Sequence, residues 1–391
     1  MDIKDFKAGF WTKQYNYKSF SPALVNIEWV ISNPRINTLL SEANLLLGEL
    51  NAFSQYVPSV DFFIMMHVVK EATTSSRIEG TQTSIEEAIL KIEDIDPEKR
   101  DDWNEVQNYI EAMNFAIGQL NQLPISSRLL RKTHQILLQS VRGEHKQPGD
   151  YRSSQNWIGG ATLADATFIP PHHTELHELM GDLEKFLNNE TLHVPKLIVV
   201  AIAHYQFETI HPFLDGNGRL GRLLITLYLI SNKILTKPTL YLSAFFEKHR
   251  TLYYDNLMVV RQKNDLEQWI TFFLVGVVET TKKAKETLIA ILKLKEKHEA
   301  TLYELGTKAA KAKTLLEYLF QHPIVSAAVV AKVLGISPPT ANSLLREFER
   351  LNILKETTGY KRNRLFVFQE TTGYKRNRLF VFQAYLDLFY E

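Results

Sequence analysis

The chain of 391 residues contains no cysteine, so both a disulfide framework and a thiolate metal site are excluded. Its net charge is only +1, which gives no general electrostatic reason for binding nucleic acid or an acidic surface. No hydrophobic run reaches the roughly 18 residues that a membrane helix requires, and the N-terminus lacks the pattern of a signal peptide. We therefore expect a cytoplasmic protein that does not associate with a membrane.

Glycine and proline are scarce, with 17 and 14 residues, and long segments place apolar residues at helical spacing. We therefore predict a mainly α fold, and the length allows two or three domains. The expected order is an N-terminal helical region over residues 1–102, a helical core over 103–275, one long connecting helix over 276–313 and a C-terminal domain over 314–391.

The densest group of chemically active side chains lies in residues 211–222, which read HPFLDGNGRLGR. An apolar helix is predicted to precede this stretch, and leucines at helical spacing predict a second helix from about Arg219. The stretch is thus a loop that leads into a helix N-terminus, where free N–H groups and the helix dipole favour an anion. Gly216 and Gly218 permit positive φ and close approach of a bulky anion to the backbone.

The charged residues of this loop suit phosphate chemistry. Arg219 and Arg222 are three positions apart and project from the same side of the helix, where each can form two hydrogen bonds to phosphate oxygens. Asp215 offers a hard oxygen ligand for Mg²⁺ beside those phosphates. His211 titrates near neutrality and can accept a proton from an attacking hydroxyl.

At these residues the chain resembles the Fic family, whose pattern is His-Pro-Phe-x-(Asp/Glu)-Gly-Asn-Gly-Arg-x-x-Arg. The resemblance implies a protein adenylyltransferase, which moves AMP from ATP to a Ser, Thr or Tyr hydroxyl of a target protein. It implies that His211 deprotonates the target hydroxyl and that Asp215 positions Mg²⁺ between the α- and β-phosphates. The residues that it implies for ATP binding are Gly216, Asn217, Gly218, Arg219, Leu220, Gly221 and Arg222.

A second motif matches the same family. Residues 61–80 read as a helix that ends at Gly80. On the helix alone, Glu79 would be a solvated carboxylate at a helix end. Ser75 and Glu79, however, fit the Fic inhibitory pattern (Ser/Thr)-x-x-x-Glu-(Gly/Asn), and the resemblance implies that Glu79 pairs with Arg222 and blocks the seat of the γ-phosphate.

Two further parts of the site are predicted less directly. Glycines and prolines around short apolar runs in residues 148–171 suggest a small β-hairpin. Family members use such a flap to hold the target by main-chain pairing, although a purely structural hairpin also fits; the expected flap residues are Thr167, Phe168, Ile169 and Pro170. Of the adjacent Tyr253 and Tyr254, one should be core and one could face adenine. In related proteins a Tyr here and a residue eight positions later line the nucleotide pocket, so we assign Tyr253 and Arg261 to ATP binding, with core packing as the alternative for the tyrosine.

Other histidines receive no chemical role. His204 reads as a hydrogen-bonded core residue, while His172 and His173 read as loop residues without further metal ligands at suitable spacing.

The C-terminal domain has the order helix, Gly335-containing turn and helix, with Ser337 as the cap of the second helix. Strand-like segments beyond Ile353 complete a pattern that resembles winged-helix domains. Such a domain serves DNA binding or, equally, dimerisation and protein contact. Residues 356–369 are repeated identically as 370–383. The repeat is either a recent tandem duplication or an engineered feature, and we have no functional account of it.

Three hypotheses follow for the whole chain. The leading one is an autoinhibited protein adenylyltransferase with ATP as substrate and Mg²⁺ as cofactor. The second is a regulator that senses nucleotide in the core and binds DNA through the winged helix. The third is a hydrolase that removes AMP with the same core, with Glu79 orienting water. The target protein and the oligomeric state cannot be read from the sequence, and a homodimer stays open.

Overall fold

The computed structural model describes residues 1–56, 60–139, 141, 145–356 and 379–390. Within these residues the protein is mainly α-helical with two small antiparallel sheets, which confirms the predicted fold class. The chain forms two compact units, namely Met1–Val57, Val68–Ala88 and Ile92–Ala284 in the first, and Pro58–His67, Ile89–Lys91 and Lys285–Glu391 in the second. Of the helices in the described ranges, none combines the length and apolar character that crossing a bilayer requires.

The first unit contains one β-hairpin and a group of packed helices. Strands β1 (Gly9–Lys13) and β2 (Lys18–Pro22) pair antiparallel, with Trp11 opposite Phe20. The helices that lie wholly or partly in this unit are α1 (Pro34–Tyr56), α2 (Val60–Ile78), α3 (Ile85–Ala88), α4 (Arg100–Gln119), α5 (Ser127–Leu137), α6 (Leu176–Asn188), α7 (Lys196–Ile210), α8 (Asn217–Ser231), α9 (Ser243–Lys248), α10 (Arg250–Lys263) and α11 (Leu266–Leu302).

Helix α7 is the centre of the first unit. Every residue from Leu197 to Ile210 is buried, as expected for a helix that is apolar on all sides. Helix α11 packs against it, because the indole of Trp269 donates a 2.8 Å hydrogen bond to the Ala201 carbonyl. Helix α8 also packs closely, since a Cβ added at Gly221 would lie 2.3 Å from the Glu208 carboxylate of α7. The loop between α7 and α8 therefore rests on a rigid support.

The second unit contains helices α12 (Ala309–Gln321), α13 (Ala327–Leu334), α14 (Pro338–Arg350) and α15 (Gln383–Leu386) and strands β3 (Ile324–Ser326), β4 (Lys355–Glu356) and β5 (Leu379–Val381). Gly335 turns the chain between α13 and α14 with φ of 59°, and the Ser337 hydroxyl caps α14 by accepting from the Thr340 N–H. The strands pair antiparallel in the order β3-β5-β4. The helix-turn-helix and its sheet thus follow the predicted winged arrangement, and most of the tandem repeat, residues 357–378, lies outside the described residues.

The predicted connecting helix differs from the structure in its bounds. We expected one helix over residues 276–313, but α11 begins at Leu266 and ends at Leu302. A 3₁₀ segment, Tyr303–Lys308, follows, and Gly306 within it has φ of 53° and ψ of −119°, which interrupts the helix before α12. The break has a local cause, because glycine adopts such a conformation at little cost and weakens a helix interior.

Candidate active site

The loop between α7 and α8 is closed by its own side chains. His211 ends α7 in the left-handed conformation, with φ of 49°. The amide of Asn217 then accepts from the Phe213 N–H at 2.9 Å and donates to the Phe213 carbonyl at 2.8 Å. Gly216, with φ of 75°, precedes α8. Since the Asn217 side chain is used within the loop, only its main-chain N–H is left for an anion.

The start of α8 provides the donors that the sequence predicted. The N–H groups of Asn217, Gly218 and Arg219 are in the first helical turn, where no carbonyl of the same helix can accept from them. The first intrahelical acceptor is the Gly216 carbonyl, which takes the Leu220 N–H at 3.1 Å. These N–H groups and the positive end of the helix dipole favour a phosphate at this point.

The two arginines of the motif are both buried, and each has a different environment. Arg222 is 3% exposed; its Nε donates to the Ser75 hydroxyl at 2.9 Å and its Nη2 donates to the Ser75 carbonyl at 2.8 Å. The same Nη2 forms a 2.7 Å ion pair with Glu79 Oε1. Arg219 lies 3.6 Å from both Glu105 Oε2 and Asp215 Oδ1. Both arginines of the motif therefore lie beside a carboxylate.

Glu79 follows directly after the last residue of α2 and reaches the first turn of α8. Its side chain is 35% exposed. Partial burial raises its pKa, but the Arg222 charge and hydrogen bond outweigh that effect, so the net result is a lowered pKa. A Cβ added at Gly218 would lie 2.3 Å from Glu79 Oε1. Because Gly218 has no side chain, the Glu79 carboxylate can occupy this space.

His211 lies half-buried among charges of both signs. Burial lowers its pKa well below the usual range, and the Arg261 and Arg152 guanidinium groups lower it further, against the raising effect of Glu79. The imidazole is therefore neutral at physiological pH, which is the form that accepts a proton. His204, seven residues earlier, is the hydrogen-bonded core histidine that the sequence predicted, since its ring contacts the Gly221 carbonyl and the Tyr253 hydroxyl.

Three residues assigned to ATP binding are packed in the core. Leu220 is fully buried, and Gly221 serves the close packing of α8 against α7. Tyr253 is 1% exposed, stacks on Phe246 and binds His204, as the core-packing alternative for this tyrosine expects, and its assignment to ATP binding stays a prediction. Its neighbour Tyr254 is 37% exposed and interacts electrostatically with Glu79 and Arg222. The alternation is expected, because adjacent helical residues point in different directions.

Arg261 contacts the flap and α7, and no nucleotide contact can be assigned to it. Its Nε donates to the Thr209 hydroxyl at 3.1 Å, and its guanidinium lies 4.0 Å from the centre of the Phe168 ring. Its role in ATP binding stays a prediction.

The flap is shorter than a regular hairpin. Ile158 and Phe168 form one antiparallel bridge, and the residues between them make the connecting loop. Phe168 is buried, Pro170 is buried and Thr167 is exposed, while the Ile169 carbonyl accepts from the Phe20 N–H of β2 at 2.9 Å. One edge of the flap is therefore already occupied by the N-terminal hairpin, which the sequence did not predict. The edge at Trp157 is the side at which another strand could pair.

Asp215 is the one residue of the loop suited to a metal. Its side chain is 44% exposed, and Oδ1 accepts from the Gly216 N–H at 2.6 Å. Among the described residues, no point gathers three or more His, Cys, Asp or Glu side chains. A single accessible carboxylate fits Mg²⁺ that is carried mainly by the phosphates of a nucleotide, because Mg²⁺ commonly takes one or two protein carboxylates and completes its shell with phosphates and water.

Comparison with known proteins matches the residues that form this site to one family. Residues 37–118 match the family model described as Fic/DOC family N-terminal, and residues 124–229 match the one described as Fic/DOC family. Over these two ranges the chain thus contains Fic/DOC family domains. Residues 313–366 of the second unit match a model described as an HTH DNA binding domain.

Relatives of the Fic core are found among curated proteins and solved structures. Protein adenylyltransferase Fic of Aedes aegypti is 29% identical over 210 residues, which are 50% of this chain and 37% of that protein. Its Drosophila melanogaster counterpart is 29% identical over 182 residues, 46% and 33% of the two chains. This chain thus spans about a third of the length of these relatives. A Fic family protein from Desulfovibrio desulfuricans G20 shares the fold, with a TM-score of 0.55, 22% identity and coverage of 90% and 96%.

The Fic core also contains supporting residues that sequence reasoning missed. His134 of α5 accepts from the Gly149 N–H at Nδ1, so its Nε2 carries the proton and donates to the Asp215 carbonyl, both at 2.8 Å. Its ring stacks on Phe213 at 3.7 Å. Burial lowers the pKa of His134 to about 4, which keeps it neutral. Glu105 of α4 accepts from the Thr81 hydroxyl at 2.7 Å and thereby connects Arg219 to the segment after Glu79.

Two buried carboxylates near Arg222 were also missed. Burial raises the pKa of Glu208, on α7, to about 7, while the nearby Arg222 charge opposes that effect. Burial likewise raises the pKa of Glu71, on α2, to about 7. No local sequence pattern distinguishes these glutamates from solvated ones, because their burial depends on how the helices pack.

Proposed function

We propose that this protein is an autoinhibited protein adenylyltransferase, which transfers AMP from ATP to a Ser, Thr or Tyr hydroxyl of a target protein. The observation that carries the proposal is the 2.7 Å pair between Arg222 Nη2 and Glu79 Oε1 at the start of α8. One guanidinium cannot donate the same N–H bonds fully to a carboxylate and to a phosphate, so Glu79 and a nucleotide compete for Arg222. The names of the relatives support the reaction class.

The geometry of the loop supports the following roles. The first N–H groups of α8 and the two arginines bind the phosphates, and Asp215 would hold Mg²⁺, which neutralises phosphate charge and aligns the leaving group. The target hydroxyl attacks the α-phosphorus while neutral His211 takes its proton. The bond from the α-phosphorus to the oxygen bridging to the β-phosphate breaks, and pyrophosphate leaves. The target segment would reach this point along the open edge of the flap at Trp157.

The test uses ATP labelled on the α-phosphate, with the protein itself and a lysate as acceptors. Removal of the Glu79 carboxylate leaves Arg222 free for phosphate, and hydrogen bonds to charged groups are worth about 1.5–3 kcal/mol. We therefore expect Glu79→Gly to increase labelling about 10- to 100-fold over wild type. The double variant Glu79→Gly, His211→Ala should lose the label, which separates transfer at this site from adventitious binding.

The same experiment distinguishes the other two hypotheses. Equal or lower labelling in Glu79→Gly would contradict autoinhibition, and no label in any form would favour a nucleotide sensor. Release of AMP from previously labelled protein, faster with wild type than with Glu79→Gly, would indicate removal of AMP instead of transfer.

A second function, DNA binding, is favoured by the match of residues 313–366 to a DNA-binding helix-turn-helix. The exposed face of α14 carries Thr340, Asn342 and Arg346. Two of these are used locally, since Thr340 contacts Ser337 and Asn342 donates to the Pro338 carbonyl. A mobility-shift assay with and without residues 314–391 tests the proposal, and the salt dependence of any shift reports the number of phosphate contacts. An unchanged shift without these residues would contradict it.

A further inference from the structure

Arg152 is a buried arginine whose guanidinium donates to main-chain carbonyls. It is 2% exposed, and among the described residues no ion pair includes it. Its Nε donates to the His211 carbonyl at 3.0 Å, and its Nη1 donates to the Ser154 carbonyl at 3.1 Å. Its Nη2 donates to the Pro171 carbonyl at 2.6 Å and more weakly to the Ile210 carbonyl at 3.4 Å. The planar guanidinium thus reaches four carbonyls that no ammonium could reach together.

The position of Arg152 meets a local need of α7. The last carbonyls of a helix have no intrahelical donors, and that end carries the negative pole of the helix dipole. Here α7 ends at His211, which holds a left-handed φ of 49° although it is not glycine. Such a conformation persists only where surrounding contacts fix it. Arg152 supplies one contact to the His211 carbonyl, and the amide of Asn156 supplies another at 3.2 Å.

The same segment holds the next residues of the catalytic loop. The Arg152 N–H donates to the Pro212 carbonyl at 2.9 Å, and the Asn156 amide donates to the Phe213 carbonyl at 2.9 Å. Three successive carbonyls of the loop are therefore bound by residues 152–156. This segment leads directly into the flap at Trp157, and Pro171 follows the other end of the flap.

We propose that Arg152 is a positioning residue for His211, which holds the left-handed turn and fixes the catalytic loop to both ends of the flap. In this arrangement, the distance and orientation between a target segment bound on the flap and the His211 imidazole stay fixed. The imidazole can then deprotonate the hydroxyl of that segment. The proposal deepens the proposed function and rests on it for the identity of the reaction, while the contacts of Arg152 with the His211 turn are independent of it.

The charge of Arg152 gives the proposal a separate readout. The groups that face His211 are Arg261 from α10, Arg152 from the flap segment, Glu79 after α2 and the Glu208 carbonyl of α7. Both guanidinium groups disfavour the imidazolium. Loss of the Arg152 charge should therefore raise the pKa of His211 and move the acid limb of the pH–rate profile to higher pH, whereas Arg152→Lys should leave that limb in place.

The experiment compares Arg152→Met, Arg152→Lys and the control Arg128→Met, an exposed arginine of α5, all in the Glu79→Gly chain. Small displacements of a catalytic group cost about 100-fold in rate. We expect Arg152→Met to lower kcat for AMP transfer about 100-fold, with the dissociation constant of ATP within about twofold. Arg152→Lys should recover the pH profile but only part of the rate, and Arg128→Met should change neither quantity.

A measurement without activity separates this proposal from the proposed function. The ¹⁵N resonances of the His211 imidazole, assigned by comparison with His211→Gln, should shift or broaden in Arg152→Met and stay unchanged in Arg128→Met. If Glu79→Gly transfers no AMP, the proposed function fails. The imidazole resonances alone then decide whether Arg152 positions His211. Where Arg152→Met does not fold, Arg152→Lys takes its place, since it keeps the charge but cannot reach the four carbonyls together. Unchanged His211 resonances, or full transfer in the folded variant, would overturn the positioning role.

Discussion

Ser75 binds Arg222 with two different atoms. Its hydroxyl accepts from Arg222 Nε and its main-chain carbonyl accepts from Nη2, while Glu79, one helical turn later, accepts from the same Nη2. The guanidinium is thus held by one face of the segment that ends α2. Because the carbonyl contact is main chain, no side-chain substitution at position 75 removes it, and the hydroxyl and the carboxylate are the parts that mutation can test separately.

We predict that Ser75→Ala increases AMP transfer by about 2- to 10-fold over wild type, which is less than the effect of Glu79→Gly. The substitution removes one hydrogen bond to a charged group, worth about 1.5–3 kcal/mol, but leaves the Glu79 ion pair in place. Initial rates of labelling from ATP labelled on the α-phosphate provide the measurement. Ser76→Ala is the matched control, because Ser76 is buried on the same helix and its hydroxyl has no partner within the described structure. Equal effects of the two substitutions would contradict the prediction.

His134 supports the catalytic loop from α5, and we predict that His134→Phe lowers AMP transfer about 10-fold or more in the Glu79→Gly chain. Phenylalanine keeps the stacking on Phe213 but removes the hydrogen bond that orients the Asp215 carbonyl. Asp215 should then hold Mg²⁺ less firmly, so the loss should diminish as the Mg²⁺ concentration rises. Steady-state rates over a Mg²⁺ titration test this expectation.

The control for His134 is His193→Phe, an exposed histidine in the connection between α6 and α7. It should leave the rate and its Mg²⁺ dependence unchanged. A loss in His134→Phe that is independent of Mg²⁺ would show that the ring acts through general stability and not through Asp215.

The sequence predicted the parts of the fold and of the site that are local. The loop from His211 to Arg222, the helix that ends near Gly80 and the turn at Gly335 each depend on residues within one or two helical turns, so spacing and glycine positions were enough. Periodicity alone could not decide which of the adjacent Tyr253 and Tyr254 faces the core. Tyr253 is placed by His204, which lies 49 positions earlier.

The supporting residues depend on contacts between distant segments. The hydrogen bond from His134 to the Asp215 carbonyl spans 81 positions, and that from Arg152 to the His211 carbonyl spans 59. No hydrophobic period or capping pattern encodes such a pair, because both partners are polar and become buried only when the helices pack. The β1–β2 hairpin was missed for a similar reason. Its main-chain hydrogen bond, from the Phe20 N–H to the Ile169 carbonyl, joins segments that are distant in the sequence.

Glu71 gives the fold a pH dependence of defined sign. Burial raises its pKa to about 7 in the folded protein, against the ordinary value of 4.5 in the unfolded chain. The folded state therefore binds more protons between these values, and the free energy of unfolding should fall as pH rises from about 4.5 to 7. Ser243 and Tyr109 both donate to Glu71 Oε1, which an amide oxygen can also accept.

We predict that Glu71→Gln raises the Tm at pH 8 and flattens its dependence on pH, with a gain of about 1–3 kcal/mol in the free energy of unfolding. Thermal unfolding between pH 5 and 8 provides the measurement. The control Glu111→Gln changes an exposed glutamate of α4 and should follow the wild-type curve. A lower Tm for Glu71→Gln at pH 8 would show that the carboxylate is charged and stabilising in the fold.

The tandem repeat allows a clean deletion. Strand β5 belongs to the second copy, where Leu379, Phe380 and Val381 pair with β3 and β4, and the helix that follows buries Tyr385. The first copy contributes only Glu356 to the described sheet. Deletion of residues 356–369 joins Lys355 to Glu370, which has the same identity as Glu356, so the pairing of β4 with β5 can form again with the same residues.

We predict that this deletion leaves the second unit folded and raises its free energy of unfolding by up to about 1 kcal/mol, because the connection between β4 and β5 becomes fourteen residues shorter and its closure costs less entropy. Differential scanning calorimetry of the full chain, with and without the deletion, measures the effect. Phe380→Ser is the destabilising control, since this buried side chain lies in the central strand. A lower Tm after the deletion would contradict the prediction and assign a stabilising role to the first copy.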